Sequence, residues 1–221
     1  MGRKKDRREE FLSLVPLNAR KILDVGCGSG GLGAVLRKKG IDVIGIENSE
    51  GLYREASEKL KQVFLADIEK FQIPFSKGYF DCIIYGDVVE HLIDPLTVLK
   101  NHKEYLSDNG YVIASVPNVR YYKLIARLVF SGSWDYMDKG ILDKSHLRFF
   151  ALINLKELFI EAGYEITDIR RNIVAARGLR ILNLLLFGLL KDFLAYQYYI
   201  KAKKSGNSCF SNAGKRKICQ F

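Results

Sequence analysis

The sequence predicts an α/β fold: a mostly parallel sheet of seven strands with helices on both faces. Three observations lead there. Apolar β-type runs alternate with helix-period segments, a glycine cluster follows the first run, and acidic residues stand at the ends of the first three. At 221 residues the chain suits one wound domain and leaves little room for a second.

A short amphipathic helix (7–14) precedes strand KILDV (21–25), a glycine turn and a helix to about Lys39. Strand DVIGI (42–46) leads to a helix over 50–60, and strand QVFLA (62–66) to a short loop. YFDCIIY (79–85) reads as the fourth strand, followed by a helix with Pro95 in its first turn, where a missing N–H costs no hydrogen bond. YVIASV (111–116) ends at Pro117. Asn154 to Glu157 resembles a capping box, opening a helix that stops at Gly163. Strand YEITDI (164–169), a Leu-rich helix and strand AYQYYI (195–200) bring the count to seven.

The formal charge of +10 sits at the ends. Residues 1–21 hold seven Lys/Arg against three acids and 191–221 seven against one, while 22–190 are balanced at 21 each. A neutral body argues against a long phosphate footprint, and so against a nucleic-acid partner. Cys27, Cys82, Cys209 and Cys219 show no CxxC spacing, and the first two lie in apolar runs, which suits a reducing cytoplasm. The N-terminus lacks a signal-type apolar stretch. In GLRILNLLLFGLLKDFLAYQYYI (178–200) the longest uncharged run is ten residues, too short to span a bilayer. A core helix followed by a strand is the expectation there, with peripheral membrane contact as the alternative.

The stretch KILDVGCGSGGLG (21–33) satisfies two patterns: GxGxxG through Gly26, Gly28 and Gly31, and GxGxG through Gly26, Gly28 and Gly30. Either lets bare backbone approach a nucleotide. Charge separates them. A pyrophosphate is drawn to the helix N-terminus, whereas Asp24 at the strand end repels an anion and favours a cation. S-adenosylmethionine carries an α-ammonium and a sulfonium and no phosphate. Glu47, 21 residues after Gly26, is placed for ribose hydroxyls, which does not discriminate because NAD uses the same feature. Asp67 ends the third run, where it can accept from an adenine amino group beside the Ile68 backbone, and FDCIIYGDVVEHL brings Tyr85, Gly86 and Asp87 to the same sheet edge.

LDVGCGSG, IEN, LADIE and FDCIIYGDVVEHLIDP, in this order, resemble the successive motifs of class I S-adenosylmethionine-dependent methyltransferases over roughly residues 20–116. The resemblance implies a Rossmann-like sheet whose last strand is antiparallel. It assigns Asp24, Gly26, Gly28 and Gly30 to the methionine end, Glu47 with Asn48 to the ribose, Asp67 and Ile68 to the adenine, and Tyr85 to the cofactor edge. The domain is then expected over 1–204, with 118–150 as an acceptor-side insertion and 205–221 as a flexible basic tail.

The second half, from SVPNVRYYKL to EAGYEI, is similar to prokaryotic methyltransferases associated with surface-polysaccharide synthesis and, more distantly, to ubiquinone-pathway O-methyltransferases. The first similarity implies a sugar hydroxyl as acceptor; a quinol precursor and an RNA 2'-hydroxyl are alternatives. Aromatics and polar groups interleave between Asn118 and Phe150, and Tyr121, Trp134, His146 and Arg148 are the candidate acceptor residues. The same rings equally suit a filler beneath a long insertion, and Arg148 equally suits a structural ion pair.

A hydroxyl nucleophile needs a base or a metal. Asp87, Glu90 and His91 share one face if a helical turn starts at 87, which makes His91 the leading general base. The pattern also resembles the ExxEH plus distant histidine that binds Mg²⁺ in small-RNA 2'-O-methyltransferases; a divalent metal on Asp87, Glu90, His91 and His146 is the competing reading, with Asp87 shortening one arm. His102, among Lys100, Asn101 and Lys103, is expected on the surface. A nicotinamide dehydrogenase and a non-catalytic cofactor-binding subunit remain as other classes, the first leaving Asp24 and Asp67 without work.

Overall fold

A computed structural model describes residues 7–205. Its sheet has seven strands: β1 (Lys21–Val25), β2 (Asp42–Glu47), β3 (Gln62–Leu65), β4 (Phe80–Gly86), β5 (Leu106–Pro117), β6 (Tyr164–Ile173) and β7 (Ala195–Lys204). They lie in the order β3-β2-β1-β4-β5-β7-β6. β1 to β5 are mutually parallel, and β7 is antiparallel to both β5 and β6, as the resemblance implies. The strand order reverses between β1 and β4, and a ligand crevice opens at such a switch point, outside the carboxyl ends of the strands.

The central strands are apolar because both faces are covered. On one face Phe11 and Leu14 of α1 (Arg7–Leu14) and Leu36 of α2 (Gly31–Lys38) pack with Ala56 of α3 (Glu50–Ser57) against Ile22, Ile84 and Ile113. On the other, Leu99 of α4 (Pro95–His102) and Leu155 and Phe159 of α6 (Leu152–Glu161) cover Leu23, Ile83 and Val112. Asp94 caps α4 through Thr97 N–H (3.1 Å), with Pro95 just inside.

Several expectations change. Helix α6 starts at Leu152 behind Ala151 with no side-chain cap, so Asn154 lies within its first turn and the capping box does not form. Strand β5 begins at Leu106, ahead of the expected start at Tyr111, and pairs with β4 through an irregularity between Phe80 and Cys82. The 118–150 insertion contains its own helix, α5 (Tyr122–Ser131). The Leu-rich segment is not a core helix: α7 (Arg177–Leu185) buries no residue, and only Leu194 of the short α8 (Lys191–Leu194) does. Of the tail expected over 205–221, Ser205 is described, its N–H donating to Gly163 O (3.2 Å), and 206–221 lie outside the described residues.

The glycine turn is held from below. Gly26 and Cys27 N–H both donate to Ile46 O (2.8 and 3.1 Å), and a Cβ on Gly45 would stand 2.7 Å from Cys27 Sγ and 2.8 Å from Leu60. Gly45→Ala should therefore lower unfolding free energy by about 1–3 kcal/mol through overpacking, read from urea denaturation; an unchanged midpoint would show that the turn is not packed this way.

Candidate active site

The loops at the carboxyl edge carry the site. After β1 the chain turns through Gly26, Gly28 and Gly30, each with positive φ. Gly26 sits against Val88, whose Cγ2 would be 2.5 Å from an added Cβ, so the glycine turn and the loop after β4 touch. Gly28, at φ +54°, has nothing within 4 Å of where a Cβ would project, which leaves its outer face open to a ligand.

Two buried carboxylates underlie this turn. Glu47 Oε2 accepts from Gly28 N–H (2.8 Å), and its Oε1 accepts from Asn48 and Ser49 N–H (3.0 and 2.9 Å), so the end of β2 fixes the turn's shape. Asp24 is 3% exposed, and its Oδ2 accepts no hydrogen bond. Burial, and then the charge of Glu47, push the Asp24 carboxyl up to about 7. A buried acid lacking a donor fits a cation, and the open glycine backbone fits an adenosine ligand without phosphates; the residues match what S-adenosylmethionine requires. Asp67, half exposed, accepts from Glu69 N–H (3.1 Å) and pairs with Lys70 (3.2 Å), while Ile68 packs on the core beside it. Glu69 in turn accepts from Ile93 and Asp94 N–H (3.1 and 2.8 Å), tying the loops after β3 and β4 together.

Tyr85, expected at the cofactor edge, turns its side chain into the core. Its side chain is fully buried, and its hydroxyl lies 2.6 Å from His102 Nδ1. His102 is thus a core residue rather than a surface one, and burial lowers its pKa to about 4, so it stays neutral. The flanking Lys and Asn hid a helix face that turns inward.

On the acceptor side a single 3₁₀ turn (Val89–His91) follows β4. It brings Glu90 and His91 to His146: the imidazole rings meet edge to face at 4.7 Å, His146 Nε2 is 4.0 Å from Glu90 Oε1, and one ligand-type atom from each residue lies within 4.8 Å of the others. His91 Nδ1 is 3.1 Å from Ser145 O, and His146 Nδ1 is 2.9 Å from Ile141 O. A carbonyl can only accept, so each Nδ1 is the donor and the lone pair of an uncharged ring is left to Nε2. Trp134 packs on Phe149 (5.5 Å) and Phe149 on His146 (6.5 Å), an aromatic wall leading to the pair.

Asp87 stands apart. It takes a left-handed φ of 57°, and its carboxylate accepts from Ser115 Oγ (2.6 Å) and Gln197 Nε2, with Asp87 N–H donating back to Ser115 Oγ (3.0 Å). The expected shared face with Glu90 and His91 fails because no α-helical turn starts at 87, and Asp87 is not in the three-residue group that could hold a metal. Ser115 and Gln197 were missed; each is a lone polar residue inside an apolar strand, which was the readable signal. Tyr121 is also structural: it is buried and donates to Val174 O (2.7 Å). Arg148 is exposed and donates to Ile93 O (2.6 Å), beside Asp94, whose carboxyl is held below its ordinary value first by hydrogen bonding from Thr97 and only lastly by the Arg148 charge.

The fold and this site define a class I S-adenosylmethionine-dependent methyltransferase. Residues 2–169 match the family model described as methyltransferase domain, and the chain belongs to that family. The ubiquinone biosynthesis O-methyltransferase of Acinetobacter baylyi is 32% identical over 108 residues, 46% of this chain and 45% of that protein. The chain thus matches less than half the length of this curated relative. The demethylmenaquinone methyltransferase of Lactococcus lactis is 30% identical over 71% of this chain and 70% of that protein. Among solved structures, a SAM-dependent methyltransferase from Archaeoglobus fulgidus superposes with a TM-score of 0.67, covering 90% of this chain and 91% of the other at 19% identity, a likeness of fold.

The raised Asp24 pKa gives a signed prediction. Between the ordinary carboxylate value of 3.8 and about 7 the unfolded chain ionises this group before the folded one, so the free protein loses stability as pH rises through that window. Asp24→Asn should raise the melting temperature, and by more at pH 8 than at pH 5, the extra gain being roughly 3 kcal/mol at most; the variant should no longer bind S-adenosylhomocysteine. An equal shift at both pH values would contradict the burial account.

Proposed function

We propose that the protein transfers a methyl group from S-adenosylmethionine to a hydroxyl of a small-molecule acceptor, with a phenolic or quinol-type hydroxyl favoured. The observation that carries this reading is the Glu90, His91 and His146 group beside the loop that touches the glycine turn. The donor supplies an electrophilic methyl on a sulfonium. Asp24 would meet its ammonium, Gly26, Gly28 and Gly30 its methionine end, Glu47 and Asn48 its ribose, and Asp67 and Ile68 its adenine edge. His91, anchored through Nδ1, offers the Nε2 lone pair as general base for the acceptor's proton. Glu90 stabilises the imidazolium that results.

A phenol loses its proton near pH 10, within easier reach of an imidazole than an alkyl hydroxyl. Trp134 and Phe149 suit a flat ring. The relatives named above act, by their names, in ubiquinone and menaquinone biosynthesis, and neither name carries a sugar acceptor. That support moves the reading from the sugar expected from the second half of the sequence to its quinol alternative.

A divalent cation on Glu90, His91 and His146 is the second reading. Both histidines donate Nδ1–H to a carbonyl, the outer contact that orients imidazole ligands, and His146 Nε2 lies 4.0 Å from Glu90 Oε1. Two imidazoles and one carboxylate suit Mn, Fe or Zn at least as well as Mg. Asp87, held by Ser115 and Gln197, has no part in it.

The test is transfer of labelled methyl to catechols, quinol precursors and nucleotide sugars, each with and without EDTA. His91→Ala should cut turnover at least ~100-fold while leaving S-adenosylhomocysteine affinity within about twofold. Full turnover in that variant would refute both the base and the metal role; loss of activity with EDTA, restored by one cation, would favour the metal. Methylation confined to nucleotide sugars would overturn the phenolic assignment.

A further inference from the structure

The most exposed apolar surface of the described residues lies where the sequence predicted core. In the α7 segment Leu184, Leu185 and Leu189 are 77%, 69% and 77% exposed, and Phe187 is 97% exposed. Water contact with so much contiguous hydrocarbon is unfavourable by roughly 25 cal/mol per Å², and patches of this kind mark interaction surfaces.

The segment is built rather than loose. Asn183 O accepts from Gly188 N–H (2.7 Å), and Asn183 Oδ1 accepts from Leu190 N–H (2.9 Å), closing the turn that presents Phe187. Phe187 itself holds a left-handed φ of 51°, a conformation that costs a bulky residue energy and that packing with other side chains does not explain. Behind the turn, Arg171 pairs with Asp192 (2.6 Å) and Arg120 stacks over Phe193 (4.5 Å), which fastens the segment to the sheet.

Charge decides the occupant. Residues 174–191 carry Arg177, Arg180 and Lys191 and no acid, and all three are exposed. A second copy docking by the same face would set like charges together, whereas an anionic lipid surface takes both the leucines and the cations. No helix among the described residues is long and apolar enough to cross a membrane, so the geometry is that of lying on a bilayer. Val129 and Phe130 of α5 are also exposed, at 67% and 88%, and Tyr121, the residue before α5, donates to Val174 O at the start of this segment.

We propose that α7 and the Leu186–Leu190 turn form an interfacial docking surface for anionic lipid bilayers. Strand β6 runs parallel to β5, since both are antiparallel to β7, so α7 leaves the sheet at the same edge as the donor site. A bilayer seated there faces the acceptor side of the molecule. This inference stands independently of the acceptor's identity.

The experiment is flotation of the full chain with phosphatidylcholine vesicles made with and without phosphatidylglycerol, over a range of salt. The wild type should float with the anionic vesicles, less with neutral ones, and less as salt rises. Replacing Leu184, Leu185, Phe187 and Leu189 together by Ser should weaken binding on the order of 100-fold. Arg177→Gln with Arg180→Gln should weaken it roughly tenfold or more on anionic vesicles only. S-adenosylhomocysteine affinity and melting temperature serve as folding controls. The proposal is overturned if the wild type ignores anionic vesicles, or if the folded serine variant floats as well as the wild type, which would assign binding to the basic termini. A wild-type dimer that the same substitutions render monomeric, with no vesicle binding, would overturn it in favour of a second copy.

Discussion

Two carboxylates buried side by side at the carboxyl ends of β1 and β2 are the constraint around which the donor site is arranged. Glu47 is satisfied by three backbone N–H groups and in return sets the path of the glycine turn. Asp24 has no such donors on Oδ2, and its neighbour's charge makes ionisation harder still. Such an arrangement is unfavourable in the free protein and becomes favourable when a cation arrives. In the reading proposed above, the stability forgone at Asp24 is what would favour a positively charged ligand over a pyrophosphate.

The acceptor side works by a different logic. Its two histidines are held by backbone carbonyls, and one ligand-type atom of each lies within 4.8 Å of the buried Glu90 carboxylate. Asp87, the nearest acid in sequence, is withdrawn by Ser115 and Gln197, which come from β5 and β7. Strands distant in sequence therefore decide which acids near the fourth strand are available for chemistry.

The strand count and the antiparallel last strand were legible because each is written locally, in apolar runs with a period and in the glycines and acids that mark strand ends. What local windows could not show was which side of an element faces the core. His102 sits among Lys100, Asn101 and Lys103, yet its partner is the Tyr85 hydroxyl, 17 residues away. The α7 leucines are as apolar as any core helix, and nothing in their own sequence states that no other described element covers them. Asp87 was grouped with Glu90 and His91 on helical spacing, but a left-handed φ and a 3₁₀ turn replace the assumed helix. For His102 and Asp87 the deciding contacts are made by residues distant along the chain, Tyr85 for the first and Ser115 and Gln197 for the second.

The most direct measurement of the central claim is calorimetric titration with S-adenosylhomocysteine at pH 6, in buffers of different ionisation heat. The account predicts release of close to one proton on binding, because the ligand's ammonium draws Asp24 from about 7 down toward its ordinary value, and a release that fades above pH 8. Binding at pH 6 with no proton released, in the wild type and in Asp24→Asn alike, would contradict it.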